Sequence, residues 1–135
     1  MIIVSNEEGK DIEDVAKTNQ ETIKYFPMDV LKGLTDETVK KVTDFLNVDN
    51  ETQRKQAVDQ VKKLYDLFIK TDSTQIEISP WITDAKVEWY IVDAKINIDD
   101  SASFRQGEIL HMKENSAASE DTDPNEVKAA NIYKN

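Results

Sequence analysis

The chain has 135 residues, enough for one domain, and 39 % of them are hydrophobic. Its formal net charge of −10 argues against binding to nucleic acid or to an anionic membrane surface, because both depend on clustered Lys and Arg. The absence of cysteine excludes disulfides and thiolate chemistry. No signal-peptide pattern opens the chain, and no apolar run approaches the roughly 20 residues of a membrane span. We therefore expect a soluble protein that is not secreted.

The first quarter of the chain predicts a strand, a short helix and an irregular segment. The apolar run at 2–4 suits an interior strand. A helical signal follows around Ile12 and Val15. The stretch "KYFPMDVLKGL" at 24–34 is punctuated by Pro27 and Gly33, which favours irregular structure there.

Two main helices are predicted in the middle of the chain. The first begins near Thr35 or Asp36, and the break after it spans 47–50. The second covers 52–70 and is the clearest element, with an apolar stripe that we expect to face the core. The stripe consists of Ala57, Val58, Val61, Leu64, Tyr65 and Phe68.

A hairpin and an acidic tail complete the predicted order. "QIEISPWI" at 75–82 and "KVEWYIVDAKI" at 86–96 have the composition of two strands, with a turn at 83–86. From Gly107 onward the sequence predicts a polar, acidic loop, followed by a helix start at Asp123 and Pro124. These elements predict an α+β fold with an antiparallel or mixed sheet, two main helices and an acidic C-terminal loop.

The polar side of the predicted hairpin concentrates oxygen-bearing side chains. If the turn centres near Lys86, Ser79 faces Asp93 across the two strands. Because side chains alternate along a strand, Glu77 lies on the same face as Ser79, and Lys95 on the same face as Asp93. A hydroxyl and two carboxylates are suitable ligands for a hard cation such as Mg²⁺.

Two interpretations of this polar face remain open on spacing alone. A solvated strand face with a Lys–Asp pair is the more frequent arrangement for such a pattern. Against it, Asp93 directly follows the apolar run "WYIV", which indicates a buried strand. A carboxylate on a buried strand requires a partner or a cation.

The motifs of this chain resemble those of the β subunits of succinyl-CoA synthetase (succinate–CoA ligase), which are ATP-grasp enzymes. The family pattern E-I-N-P, then a hairpin, then D-A-K-I-N-F-D-D-N-A-x-[FY]-R is similar to "EISP" at 77–80 and "DAKINIDDSASFR" at 93–105. Further similarity lies in "SNEEGKDIEDVAKT" at 5–18, "VKKLYDLFIKTDSTQIEI" at 61–78 and "DPNEVKAA" at 123–130. The resemblance therefore runs along nearly the whole chain.

The resemblance implies the C-terminal part of an ATP-grasp domain over 1–112 and an acidic loop with the start of a helix over 113–135. A first ATP-grasp subdomain is then expected upstream of Met1 and a CoA-ligase domain beyond Asn135, so this piece alone should not complete the reaction. The family uses Mg²⁺ with ATP/ADP or GTP/GDP and exchanges phosphate with a phosphohistidine of an α subunit, while succinyl-CoA and succinate interconvert. It implies a location in the mitochondrial matrix or the cytoplasm.

The resemblance also implies roles for individual residues. Asp93 is expected to be a Mg²⁺ ligand, Ser79 to occupy the other ligand position, and Glu77 to be the catalytic acidic residue near the phosphohistidine. His111, the single histidine, matches no catalytic position of the family, and we expect it to be a surface residue of the acidic loop.

Departures from the family pattern support an alternative function. Ser79 and Ser101 replace asparagines, Glu8 replaces a glycine, and Lys10 replaces a hydrophobic residue. These changes favour a divergent, non-catalytic interaction module that keeps the fold. ATP-citrate lyase and malyl-CoA synthetase share the E-I-N-P hairpin, but the continuation "KINIDDSASFR" at 95–105 favours the succinate–CoA ligase pattern.

Overall fold

A computed structural model describes residues 1–7, 12–48, 50–84 and 88–115 of the chain. The chain divides into two compact units. The first runs from Met1 to Ile98, and the second begins at Asp99. The boundary predicted after residue 112 remains a prediction.

The first unit opens with two strands and a short helix. Strand β1 (Ile2–Ser5) pairs antiparallel with β2 (Ile23–Phe26), and helix α1 (Ile12–Thr18) lies between them in the sequence. The terminal strand and the short helix are thereby confirmed. The prediction of irregular structure at 24–34 is wrong for its first residues, because Lys24 to Phe26 pair with β1 before Pro27 ends the strand.

The first of the two main helices begins at the predicted position, and the second begins one residue before its predicted range of 52–70. Helix α2 (Asp36–Phe45) is capped by Thr35, whose Oγ1 accepts a hydrogen bond from the Thr38 N–H at 3.2 Å. Helix α3 (Glu51–Lys70) is capped by Asn50, whose Oδ1 accepts from the Thr52 N–H at 2.8 Å. Both caps satisfy backbone donors that have no partner within the first helical turn.

The core of the first unit lies between β2, α2 and α3. Phe26, Val39, Val42 and Val61 form its buried cluster. The predicted stripe of α3 supplies fewer buried residues than expected: Ala57 and Val61 are buried, whereas Val58, Leu64, Tyr65 and Phe68 are half-buried.

The hairpin forms with the predicted register, but each predicted strand is interrupted. Its outer ladder pairs β3 (Ser73–Ile78) with β6 (Ala94–Ile98), and its inner ladder pairs β4 (Trp81–Thr83) with β5 (Trp89–Ile91). Both ladders are antiparallel and keep one register across the gap. The gap includes Pro80, preceded by a cis peptide bond, and proline has no N–H for the ladder.

The second unit contains a helix where the sequence predicted a loop. Asp99 caps a short 3₁₀ turn, accepting from the Ser101 N–H at 2.9 Å. Helix α4 (Gly107–Asn115) follows and carries His111 as an exposed side chain. The loop prediction was wrong here because this stretch, although polar, is rich in good helix formers. The helix start predicted at Asp123 and Pro124 lies outside the described residues.

The observed architecture confirms the α+β class. Three two-stranded antiparallel ladders combine with two main helices and two shorter ones in the described ranges. None of the helices described there is both long and apolar enough to cross a bilayer.

Candidate functional site

A small cavity opens on the polar face of the hairpin, at the gap between its two ladders. Its volume is about 50 Å³, room for a few water-sized spheres. The residues that line this polar-face cavity are Glu77, Ser79, Asp93, Ala94 and Lys95. The structure therefore brings together all four polar residues that the sequence placed on one face.

Backbone pairing fixes the positions of these side chains. Glu77 lies opposite Lys95 in the β3–β6 ladder. In the gap, the Ser79 N–H donates to the Asp93 carbonyl oxygen at 3.2 Å. This contact confirms the predicted pairing of Ser79 with Asp93. Because facing residues of an antiparallel pair project to the same side, the hydroxyl and the carboxylate share one wall of the hairpin.

Asp93 is exposed, contrary to the expectation of a buried strand. The strand before it is open to solvent as well: Tyr90 is 45 % and Val92 59 % exposed. The apolar run was misleading because α3 packs against this hairpin through Trp89, leaving the neighbouring side chains uncovered. The Asp93 Oδ1 accepts from the Ala94 N–H at 2.8 Å. The carboxylate is thus oriented by backbone rather than desolvated by a core.

Lys95 faces acidic residues without closing an ion pair with them. Within the described ranges, no salt bridge joins its ammonium to Glu77 or Asp93. Spacing alone favoured a solvated strand face that carries a Lys–Asp ion pair. The face is solvated, but the described residues form no salt bridge between Lys95 and Asp93.

The donor set fits a hydrated Mg²⁺ better than a fully enclosed cation. No group of three or more His, Cys, Asp or Glu side chains gathers as a metal cage in the part of the chain that the structure describes. Mg²⁺ typically keeps several waters and takes one or two carboxylates together with phosphate oxygens. Asp93 and Ser79, with Glu77 beside them, offer the oxygen atoms that such an ion requires.

Helix α3 holds the inner ladder through hydrogen bonds that the sequence did not suggest. The Gln60 Oε1 accepts from the Trp81 indole N–H at 2.6 Å, and the Gln60 Nε2 donates to the Trp89 carbonyl oxygen at 3.0 Å. The Trp89 indole N–H donates to the Gln53 carbonyl oxygen at 3.1 Å. The Gln56 Oε1 also accepts from the Trp89 backbone N–H at 3.3 Å. Gln56 and Gln60 lie four residues apart beside the apolar stripe, and that spacing was the available signal for these two side-chain anchors.

A second, larger groove lies between α3 and β5, away from the polar-face cavity. Its volume is about 390 Å³, and it is lined by Gln60, Lys63, Leu64, Leu67, Trp89, Tyr90 and Ile91. At its edge the Tyr90 Oη donates to a Glu88 carboxylate oxygen at 2.7 Å. That hydrogen bond, with the nearby acidic charge, raises the pKa of Tyr90 to about 12.

Comparison with known proteins gives consistent matches. The family model described as "ATP-grasp domain" matches residues 1–83. The chain is 41 % identical over 135 residues to the mitochondrial β subunit of the ADP-forming succinate–CoA ligase of Arabidopsis thaliana. It is 39 % identical over 135 residues to the GDP-forming mitochondrial β subunit of Dictyostelium discoideum. It is also 37 % identical over 134 residues to the ADP-forming β subunit of Neorickettsia sennetsu.

These matches cover the chain almost completely but the relatives only in part. They include 100 %, 100 % and 99 % of the chain, respectively. The chain spans about a third of the length of these curated relatives, 31 %, 31 % and 33 %. Over its full length the chain is similar to β subunits of succinate–CoA ligase, and because the family model matches more than half of it, the chain belongs to the ATP-grasp family.

Proposed function

We propose that this chain contributes a Mg²⁺–nucleotide site to a succinate–CoA ligase β subunit. In that site Asp93 is a Mg²⁺ ligand, Ser79 occupies the second ligand position, and Glu77 is the catalytic acid near a phosphohistidine of an α subunit. The observation that carries the proposal is the shared cavity of Glu77, Ser79 and Asp93 on the wall that the family motif predicts.

The chemistry of these side chains supports the assignment. When bound, Mg²⁺ offsets the negative charge of phosphate oxygens during phosphoryl transfer. Asp93 supplies a carboxylate that the Ala94 N–H already orients, so little ordering is required on binding. Ser79 supplies a short hydroxyl, which suits contact through a metal-bound water. Glu77 lies on β3 and lines the same cavity.

The whole protein's activity, partners and location are part of the same proposal. The nucleotide is ATP/ADP or GTP/GDP, since the relatives include both ADP-forming and GDP-forming enzymes. The partner is an α subunit, and the reaction interconverts succinyl-CoA and succinate within the tricarboxylic acid cycle. The mitochondrial relatives favour the mitochondrial matrix, and the Neorickettsia relative, whose name carries no such label, keeps the cytoplasm as the alternative.

Nuclear magnetic resonance titration tests the proposal on the 135-residue chain. Mg²⁺–ADP and Mg²⁺–GDP are added separately while backbone amide resonances are followed. We expect shifts to concentrate at Glu77, Ser79 and Asp93, the residues that line the cavity. An unchanged spectrum at millimolar ligand would contradict a site that this chain forms by itself.

A non-catalytic interaction module is the second candidate. The hydroxyl at Ser79 is a weaker metal ligand than the family's amide oxygen, and Leu67, Tyr90 and Ile91 are exposed around an apolar groove. This candidate predicts that Asp93→Asn leaves partner binding unchanged. The titration separates the two functions, because a module of this kind gives no response to Mg²⁺–nucleotide at the polar-face cavity.

A further inference from the structure

Lys95 differs from three lysines of the helices in the use of its charge. Lys40, Lys41 and Lys62 each contact a carboxylate oxygen at 2.7–2.8 Å. Lys95 lines the polar-face cavity opposite Glu77 and two residues from Asp93, yet forms no salt bridge with either. A cation beside two carboxylates that it does not engage has its hydrogen-bond donors available to another anion.

The charge of the cavity determines which ligand it accepts. Glu77, Asp93 and Lys95 together give the cavity a formal charge of −1 at neutral pH. A divalent cation raises this to +1, whereas the same cation without Lys95 leaves the cavity neutral. Lys95 is therefore the group that makes the cation-loaded cavity attractive to an anion.

We propose that Lys95 binds phosphate oxygens of the nucleotide next to the cation site. This inference rests on the proposed Mg²⁺–nucleotide function and adds a residue to it. The ammonium donates charge-assisted hydrogen bonds to anionic oxygens, and such bonds are stronger than those between neutral groups. Lys95 lies on β6 directly after Ala94, which also lines the cavity, and it pairs with Glu77 of β3, so its backbone position is fixed relative to Asp93.

Two opposite effects distinguish this role from a structural one. The Lys95 ammonium attracts phosphate oxygens, so removing it weakens Mg²⁺–ADP binding. The same ammonium repels a bare cation, so removing it strengthens the binding of Mg²⁺ alone. A lysine that merely stabilises the strand produces neither change.

Isothermal titration calorimetry on the 135-residue chain measures both effects. The variants are Lys95→Gln, Lys95→Arg and the matched control Lys32→Gln, which removes an exposed charge that is not part of the cavity lining. Mg²⁺ alone, Mg²⁺–ADP and adenosine are the probes. Thermal unfolding of each variant verifies that the fold is kept.

For Lys95→Gln we expect roughly tenfold weaker Mg²⁺–ADP binding, tighter binding of Mg²⁺ alone and unchanged adenosine binding. Lys95→Arg and Lys32→Gln should remain close to the wild type. If the wild type binds Mg²⁺–ADP and Lys95→Gln binds it equally well, the role of Lys95 is overturned and the metal site stands. If the wild type binds neither Mg²⁺ nor Mg²⁺–ADP, both the site and this inference are overturned.

Discussion

The indole N–H of Trp81 donates to the side-chain oxygen of Gln60 at 2.6 Å and ties the inner hairpin ladder to α3. Trp81 also packs against the core cluster and stacks obliquely on Trp89, with ring centroids 4.7 Å apart. The gap that holds Ser79 immediately precedes Trp81 in the sequence. The helix therefore sets the position of one wall of the polar-face cavity.

Replacing Gln60 by Ala should lower the free energy of unfolding by about 1–3 kcal/mol. The change removes two hydrogen bonds and leaves the half-buried Trp81 indole N–H without its acceptor. Gln53→Ala is the matched control, because Gln53 contributes only its backbone carbonyl to the hairpin. Urea unfolding measures both variants. Equal stability of the two variants would show that the Gln60 side chain does not anchor the hairpin.

Replacing Gly33 by Ala should destabilise the fold by about 1–2 kcal/mol or more. Gly33 has φ +65°, a conformation that costs an L-residue this amount, and an added Cβ would lie 2.6 Å from the Tyr65 Oη. Gly107→Ala is the control, since nothing lies within 4 Å of its Cβ position. Tyr65→Phe in the Gly33→Ala background should recover part of the loss. Thermal unfolding measures these changes. If Gly33→Ala is as stable as the wild type, the close approach of Gly33 to the Tyr65 hydroxyl is refuted.

The ion pair between Asp36 and Lys62 makes the free energy of unfolding depend on pH. Lys62 contacts the Asp36 carboxylate at 2.7 Å, and this hydrogen bond holds the pKa of Asp36 below its usual 3.8. Because the pKa of Asp36 is lower in the folded protein than in the unfolded chain, the ion pair stabilises the fold at pH values above the unfolded-state pKa. This stabilisation is lost as the pH falls through the folded-state pKa.

Lys62→Met should therefore reduce stability at neutral pH, and its difference from the wild type should shrink as the pH falls below 3.8. Lys32→Met controls for the change in net charge. Urea unfolding from pH 7 to acid, at constant ionic strength, gives the difference. A difference that stays constant through the acid range would contradict the linkage to Asp36.

Much of the hairpin was predictable because its register follows from one geometric rule. Once the turn is centred near Lys86, the pairing of Ser79 with Asp93 and of Glu77 with Lys95 follows, and both pairings are observed. The starts of α2 and α3 could also be predicted, because the side chains of Thr35 and Asn50 accept hydrogen bonds from backbone N–H groups a few residues away in the same helix.

The remaining features depend on contacts between distant parts of the chain. Strand β2 exists through its pairing with β1, which the punctuated stretch around Pro27 does not encode locally. The exposure of Asp93 depends on how much of the hairpin α3 covers, and an apolar run cannot show that. The glutamine anchors required knowledge of which face of α3 meets the two tryptophans.

Mg²⁺ binding in the presence of ADP tests the central claim most directly. Isothermal titration calorimetry compares the wild type with Asp93→Asn and with Asp66→Asn, an equal change of charge on the exposed side of α3. We expect Asp93→Asn to weaken binding by roughly tenfold or more, because a metal ligand is lost, while Asp66→Asn binds like the wild type. Equal binding by Asp93→Asn and Asp66→Asn would contradict a Mg²⁺–nucleotide site at the polar-face cavity.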